Sequence, residues 1–171
     1  MFAKRAFNHL RAALGALAVL ALLIAFPIHK ARAQSISGVQ TAVIKLTSAQ
    51  ILALNTTPVP AIPAPGTGFV IHIFSVTYSL TYLASGGTTY ADTGSAGPYY
   101  GTSAGQLINP SITMKTALTT AASQIVTGGV SSINTVRASM DNQPVVITDT
   151  ANPTTGNGTM VVVLNYTIDA D

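Results

Sequence analysis

Side chains that commonly perform chemistry are few in this 171-residue chain, and they are scattered. His9 and His29 lie near the start, so His72 is the only histidine of the remaining chain, and cysteine and glutamate are absent. General acid–base catalysis and zinc binding both need clustered titratable groups. Because alternation places His72 with Val70 and Phe74, we expect a buried, neutral histidine rather than a catalytic base.

The acidic residues do not supply the missing partners. Asp149 is the only acid within residues 149–158, whereas calcium takes several oxygen ligands. The glycine-rich segments 94–97 and 101–105 lack the lysine of a phosphate-binding loop. We therefore expect no enzymatic activity, no catalytic residue, no cofactor and no metal site.

Three tyrosines are the best candidates for contacts with another molecule. Tyr90, Tyr99 and Tyr100 fall within residues 84–110, which are rich in Gly, Ser and Thr and predict short strands joined by long surface loops. Tyrosines in such loops can stack on a glycan or anchor a protein partner. The alternative is that they cover an open end of the fold with their hydroxyls in water.

Two long segments must carry the fold. In Phe69–Tyr82 the even positions from Phe74 onward are apolar or aromatic and the odd positions carry hydroxyls, which predicts a strand with one buried face. Apolar odd positions before Ser75 predict a first half covered on both faces, and the length predicts a bulge near Ile73–Ser75. Residues 159–168 predict a second long strand of the same kind.

Shorter segments complete an all-β fold class. Residues 41–46 and 143–148 read as strands, and Thr47 or Ser48 can cap a helical turn over 49–54. Four prolines within 57–65 predict an edge strand or a polyproline-like segment. Residues 111–116 alternate briefly, and 117–140 favour loop and strand with at most one helical turn. Together these patterns predict an antiparallel β-sandwich or jelly roll with long Gly/Ser/Thr loops.

Residues 1–33 have the pattern of a secretory signal peptide. Lys4, Arg5 and Arg11 precede the apolar stretch 12–28, and Ala31-Arg32-Ala33 predicts cleavage after Ala33. We expect a signal helix, export to the periplasm, cell surface or medium, and a single β domain over 34–171. The alternative is an uncleaved anchor that holds the chain in a membrane through residues 12–28.

The net charge of +3 comes from this leader. The chain after Ala33 has three basic and five acidic residues, a net charge of −2, so we expect no nucleic-acid partner. Sparse charge and hydroxyl-rich strand faces suit tight packing between identical copies, because few ions must be desolvated. These features favour a non-enzymatic structural protein. The alternative is an exported glycan- or partner-binding module that uses the tyrosine loops.

Two parts of the chain have a further distinctive pattern: LTSAQILALNTTPV (46–59) with IPAPGTG (62–68), and NPTTGNGTMVVVLNY (152–166). They resemble small β-rich structural proteins of tailed bacteriophages and prophages. The resemblance implies a capsid decoration or fibre-like protein, a homo-oligomer with a trimer favoured, a capsid or cell-surface partner, and no catalytic residues. A virion location follows from it. The leader instead favours a relative displayed outside the inner membrane.

Overall fold

Strands dominate the computed structural model, which describes residues 36–83, 85–91, 94–108, 113–130 and 139–170. The predicted leader, its cleavage site and the anchor alternative lie outside these residues. In chain order the described elements are β1 (Ile36–Leu46), α1 (Ser48–Leu52), β2 (Val59–Ile62), β3 (Phe69–Thr81), β4 (Gly97–Tyr100), α2 (Met114–Leu118), β5 (Gln124–Gly129), β6 (Val145–Thr148) and β7 (Thr159–Ala170). No helix within the described ranges is long and apolar enough to cross a bilayer.

The strands form two antiparallel sheets, so the all-β prediction is confirmed. Sheet A has the order β1-β7-β3-β5, and sheet B has the order β2-β6-β4. The long strands β3 and β7 lie side by side in the middle of sheet A, where each is paired on both sides. The proline-rich segment supplies β2, an edge strand of sheet B, as its composition predicts.

A bulge interrupts β3 where the sequence pattern changes. Ile73 pairs with Tyr166 and Ser75 pairs with Asn165, so Phe74 is an extra residue without a partner in β7. One extra residue exchanges the two faces of a strand. The core side therefore passes from the odd positions before the bulge to the even positions after it. The predicted bulge near Ile73–Ser75 is confirmed.

Both helices have five residues, and a threonine caps each of them. At α1 the Thr47 hydroxyl accepts from the Gln50 N–H, and the Gln50 side chain accepts from the Thr47 N–H, which forms a capping box. The helical turn expected after Thr47 or Ser48 is thus confirmed with Thr47 as its cap. The brief alternation over 111–116 did not indicate a helix, but α2 begins there at Met114 after the cap Thr113.

The core draws on both sheets. Its buried side chains include Val76, Leu164 and Ile44 from sheet A and Val145 and Ile147 from sheet B. They also include all the apolar side chains of α2. The core therefore covers the inner face of sheet A, and side chains of the opposite face such as Val43 and Ile125 are exposed.

Candidate assembly surface

The three candidate tyrosines are buried, with exposed fractions of 2% for Tyr90 and 3% for Tyr99 and Tyr100. The expected loop placement is wrong for Tyr99 and Tyr100, which lie in β4. Each hydroxyl donates to a backbone carbonyl: Tyr90 to Gly158 at 2.5 Å, Tyr99 to Ser95 at 2.7 Å and Tyr100 to Ile71 at 2.5 Å. Their rings therefore offer little surface on which a glycan could stack.

Burial also fixes the protonation of these tyrosines. Desolvation raises the pKa of Tyr100 from its ordinary value of 10.0 to about 12. Desolvation likewise raises the pKa of Tyr90, and this effect outweighs a hydrogen bond with Ser48 that lowers it. Both hydroxyls are neutral donors at physiological pH and join segments that are distant in sequence.

His72 is exposed, so the prediction that it faces the core is wrong. The reason is the bulge at Phe74. Before the bulge the odd residues Ile71 and Ile73 face the core, and His72 faces outward opposite Thr167. The prediction that this half is covered on both faces holds at Val70 and fails at His72 and Phe74. No described residue forms a hydrogen bond or ion pair with the imidazole, so this part of the chain provides no carboxylate–histidine pair.

Two aspartates in the described ranges, Asp141 and Asp149, accept hydrogen bonds from the backbone, and Asp169 accepts one from the Thr167 hydroxyl. The Asp149 Oδ1 accepts from the N–H groups of Thr150 at 2.7 Å and Ala151 at 3.3 Å, which forms a turn after β6. The Asp141 Oδ1 accepts from the Gly68 N–H at 2.8 Å, which fixes the turn before β3. No three His, Cys, Asp or Glu residues in the described ranges are grouped so that they could hold a metal ion.

The unpartnered surface that stands out is the outer face of sheet A, the face opposite the core. Four of the five large apolar side chains recorded as exposed among the described residues lie on its strands: Val39 at 69%, Val43 at 59%, Phe74 at 45% and Ile125 at 73%. Three of them lie on the two edge strands of sheet A, Val39 and Val43 on β1 and Ile125 on β5. Their burial would be favourable if another molecule covered them.

Hydroxyl and amide groups link the strands across this face. The Thr41 hydroxyl donates to the Asn165 Oδ1 at 2.8 Å, and the Asn165 Nδ2 donates to the Ser75 Oγ at 2.9 Å. One row thus joins β1, β7 and β3. The hydroxyls of Thr77 and Thr127 are 2.9 Å apart and join β3 to β5. These bonds hold the polar groups in place and make the face regular.

The edges of the two sheets differ. In sheet B, Pro60 has no N–H to donate on the edge strand β2. The other edge strand, β4, is covered by residues 106–108, because the Tyr100 N–H donates to the Gln106 carbonyl and the Ile108 N–H donates to the Pro98 carbonyl. In sheet A, the outer backbone groups of β1 and β5 have no hydrogen-bond partner in the described part of the chain. Such edges accept another strand unless something covers them.

Sequence reasoning missed Phe74 and Ile125 as surface residues. The signal for Phe74 was present, because an apolar residue where the alternation changes face is the residue that the bulge extrudes. Ile125 lies in a segment where threonine and glycine obscure the strand pattern.

An open depression of about 530 Å³ lies beside β4. Its lining residues are Tyr100, Gly101, Thr102, Ala104, Gly105, Gln106, Ser139 and Gln143.

No protein-family model matches the sequence, and no curated protein matches it. Among solved structures, the chain is similar to one described as the cyanophage Pam1 capsid asymmetric unit, with 18% identity, a TM-score of 0.39, and coverage of 84% of this chain and 91% of that one. It is also similar to a chain of the capsid of Ralstonia phage GP4, with 14% identity, a TM-score of 0.35, and coverage of 82% and 88%. Both structural neighbours are therefore phage capsid structures, at scores too low to define a common fold.

Proposed function

We propose that this chain is a non-enzymatic structural protein that assembles with copies of itself through sheet A. The observation that carries the proposal is the outer face of sheet A, where exposed apolar side chains and ordered hydroxyl rows lie between two open edges. Burying one such side chain contributes about 1 kcal/mol or more. Several together across repeated contacts support a stable assembly.

Sparse charge supports the same function. Lys45 and Asp169 are the charged side chains on this face within the described ranges. A contact between copies would desolvate few ions, and this cost is what commonly weakens charged interfaces. We propose a homo-oligomer, with a trimer as the expected stoichiometry, in which the two sheets close as a sandwich or jelly roll.

The location follows from the leader. We propose export after cleavage behind Ala33, with the β domain of 34–171 displayed at the cell surface or released. A virion location is the alternative, and there the assembly would decorate a capsid or form part of a fibre. Mass spectrometry of native material distinguishes them, because export removes residues 1–33 and assembly in a virion does not require it.

The test of assembly compares two serine variants of the full chain by light scattering. Phe74 and Leu83 have nearly equal exposure, 45% and 47%, but Leu83 lies beyond the end of β3. We expect Phe74→Ser to weaken association at least tenfold and Leu83→Ser to leave it unchanged. A chain that stays monomeric at all concentrations, or equal effects of the two variants, would contradict the proposal.

A second candidate is the exported glycan- or partner-binding module. The depression beside Tyr100 favours it, because its lining of amides, hydroxyls and backbone resembles the polar groups that hold sugars. Of the three candidate tyrosines, Tyr100 lines this depression. Binding to a glycan array that Gln143→Ala removes, by a monomeric protein, would favour this candidate over assembly.

A further inference from the structure

Among the described residues, sheet A ends on each side in a strand whose outer edge is open to another strand. β1 and β5 have outer backbone groups without hydrogen-bond partners among the described residues, whereas both edges of sheet B are obstructed. Neighbouring strands are antiparallel at every step from β1 to β5. In four alternating strands the first and the last run in opposite directions. A second copy that extends the sheet can therefore place its β1 antiparallel beside β5 without breaking the alternation.

We propose that β5 of one copy pairs with β1 of a second copy, with Ile125 opposite Val43 of that copy. The pairing rests on the proposed self-assembly and adds a contact between strand edges to the contact through the outer face of sheet A. A single register joins Ile125 and Val43, whose side chains are exposed by 73% and 59%. A side chain directly opposite on the same face lies within contact distance, so each would cover the other.

The polar residues favour the same register. Counting back along β1 from Val43 places Thr127 opposite Thr41 of the second copy. Thr127 already contacts Thr77, and Thr41 already bonds to Asn165. The hydroxyl row of one copy would then continue into the row of the next.

The same register also leaves Lys45, the charged residue of β1, in contact with water. Lys45 of the second copy falls opposite Ser123, before the first residue of β5, so its ammonium group stays at the rim in water. A shift of two residues either way places Ile125 against Thr41 or Lys45 and loses the apolar pair. Core-side residues remain matched as well, because Val126 falls opposite Ala42.

This contact joins two different surfaces, so it is head-to-tail rather than two-fold. Such contacts close into a ring where the rotation allows and continue as a filament where it does not. Pairing at both ends would also remove the two open edges of sheet A together. A two-fold pairing of β1 with β1 would leave β5 exposed in each copy.

Cysteine cross-linking tests the pairing directly, because the natural chain contains no cysteine. Full-length chains carrying Val43→Cys and Ile125→Cys are mixed and oxidised. We expect a disulfide-linked pair, because directly opposite strand residues have the spacing that a disulfide requires. In the double variant we expect a covalent species with the mass that light scattering gives for the assembly.

Matched controls use the same edge and face. Thr41→Cys and Lys45→Cys, each mixed with Ile125→Cys, should link at least tenfold more slowly, because a diagonal neighbour lies beyond disulfide reach. Equal linking at all three positions, or linking of Val43→Cys to itself, overturns the pairing. Unlinked chains that still assemble overturn the pairing and leave the proposed function intact. A monomer by light scattering overturns both.

Discussion

At the scale of single residues, the hydroxyls of the four buried tyrosines among the described residues fall into two classes. Those of Tyr90, Tyr99 and Tyr100 each donate to a backbone carbonyl. The Tyr78 hydroxyl is buried without a hydrogen-bond partner among the residues that the structure describes, and desolvation raises its pKa. A buried polar group without a partner loses its hydration and gains nothing in return. The same hydroxyl group should therefore lower the free energy of unfolding at Tyr78 and raise it at Tyr100.

Replacing each of them by phenylalanine should separate these contributions. We expect Tyr78→Phe to raise the free energy of unfolding by about 1 kcal/mol, because it removes a desolvated hydroxyl. We expect Tyr100→Phe to lower it by about 1 kcal/mol, because the Ile71 carbonyl loses a donor. Denaturant titration followed by circular dichroism measures both. A loss of stability in Tyr78→Phe would mean that its hydroxyl does have a partner.

Buried tyrosines also predict how stability depends on alkaline pH. The pKa of Tyr100 is about 12 in the folded chain against an ordinary value of 10.0. The folded state therefore keeps its proton where the unfolded state releases it. The contribution of each such tyrosine to stability should be constant below pH 10 and fall above it, by up to about 1.4 kcal/mol per pH unit. Unfolding measured at about pH 8 and about pH 11 should show a smaller fall in Tyr100→Phe than in the natural chain.

Residue roles were harder to predict than residue types. The sequence correctly indicates few titratable groups, but it places three tyrosines in loops because glycine and serine surround them. Burial of an aromatic ring depends on which segments pack over it, and Tyr90 donates to a carbonyl that lies 68 residues away. No local pattern contains that information.

At the scale of elements, the bulge in β3 predicts which deletion the strand tolerates. Removing Phe74 leaves the pairing from Ile73 to Ser75 continuous and keeps every flanking side chain on its present face. We expect the deletion to cost about 1 kcal/mol, chiefly from the bond between the Phe74 carbonyl and the Val130 N–H. Thermal unfolding of the purified variant measures it.

Deletion of Thr77 is the matched control. It lies three residues away in the same strand but within the regular ladder, so its loss moves the rest of β3 to the wrong face. We expect this variant not to fold. Equal tolerance of the two deletions would show that the bulge does not set the register.

The elements best predicted from sequence were those with a strong period. Alternation identified β3, β7 and the bulge, and prolines identified β2 as an edge strand. Helix α2 was missed because its five residues are too few to establish a helical period. His72 was assigned to the wrong face because the alternation after the bulge was extended to the residues before it.

At the scale of the whole molecule, the scarcity of charge on sheet A predicts how assembly responds to salt. Ion pairs between exposed groups weaken as salt screens them, whereas contacts between apolar side chains do not. We expect the mass measured by light scattering to be unchanged between low and high sodium chloride, and association to strengthen with sulfate. Dissociation at high salt would instead indicate a contact between charged surfaces.

The sequence indicated that copies of the chain pack together, but it did not indicate which strands would form the contact. Hydroxyl-rich strands with few charges indicated packing between copies, but strand order decides which edges stay open. That order follows from contacts across more than a hundred residues, such as Thr41 with Asn165. Exposed Val43 and Ile125 become a matched pair only once β1 and β5 are known to be edges.

The tyrosine–carbonyl bonds have a consequence for where the chain can mature. They tie Tyr90 to Gly158 and Tyr100 to Ile71, the kind of long-range link for which small exported proteins often use disulfides. Hydrogen bonds form without an oxidant or an isomerase. The same native contacts are therefore open to this chain in a reducing or an oxidising compartment, and its folding is indifferent to redox potential.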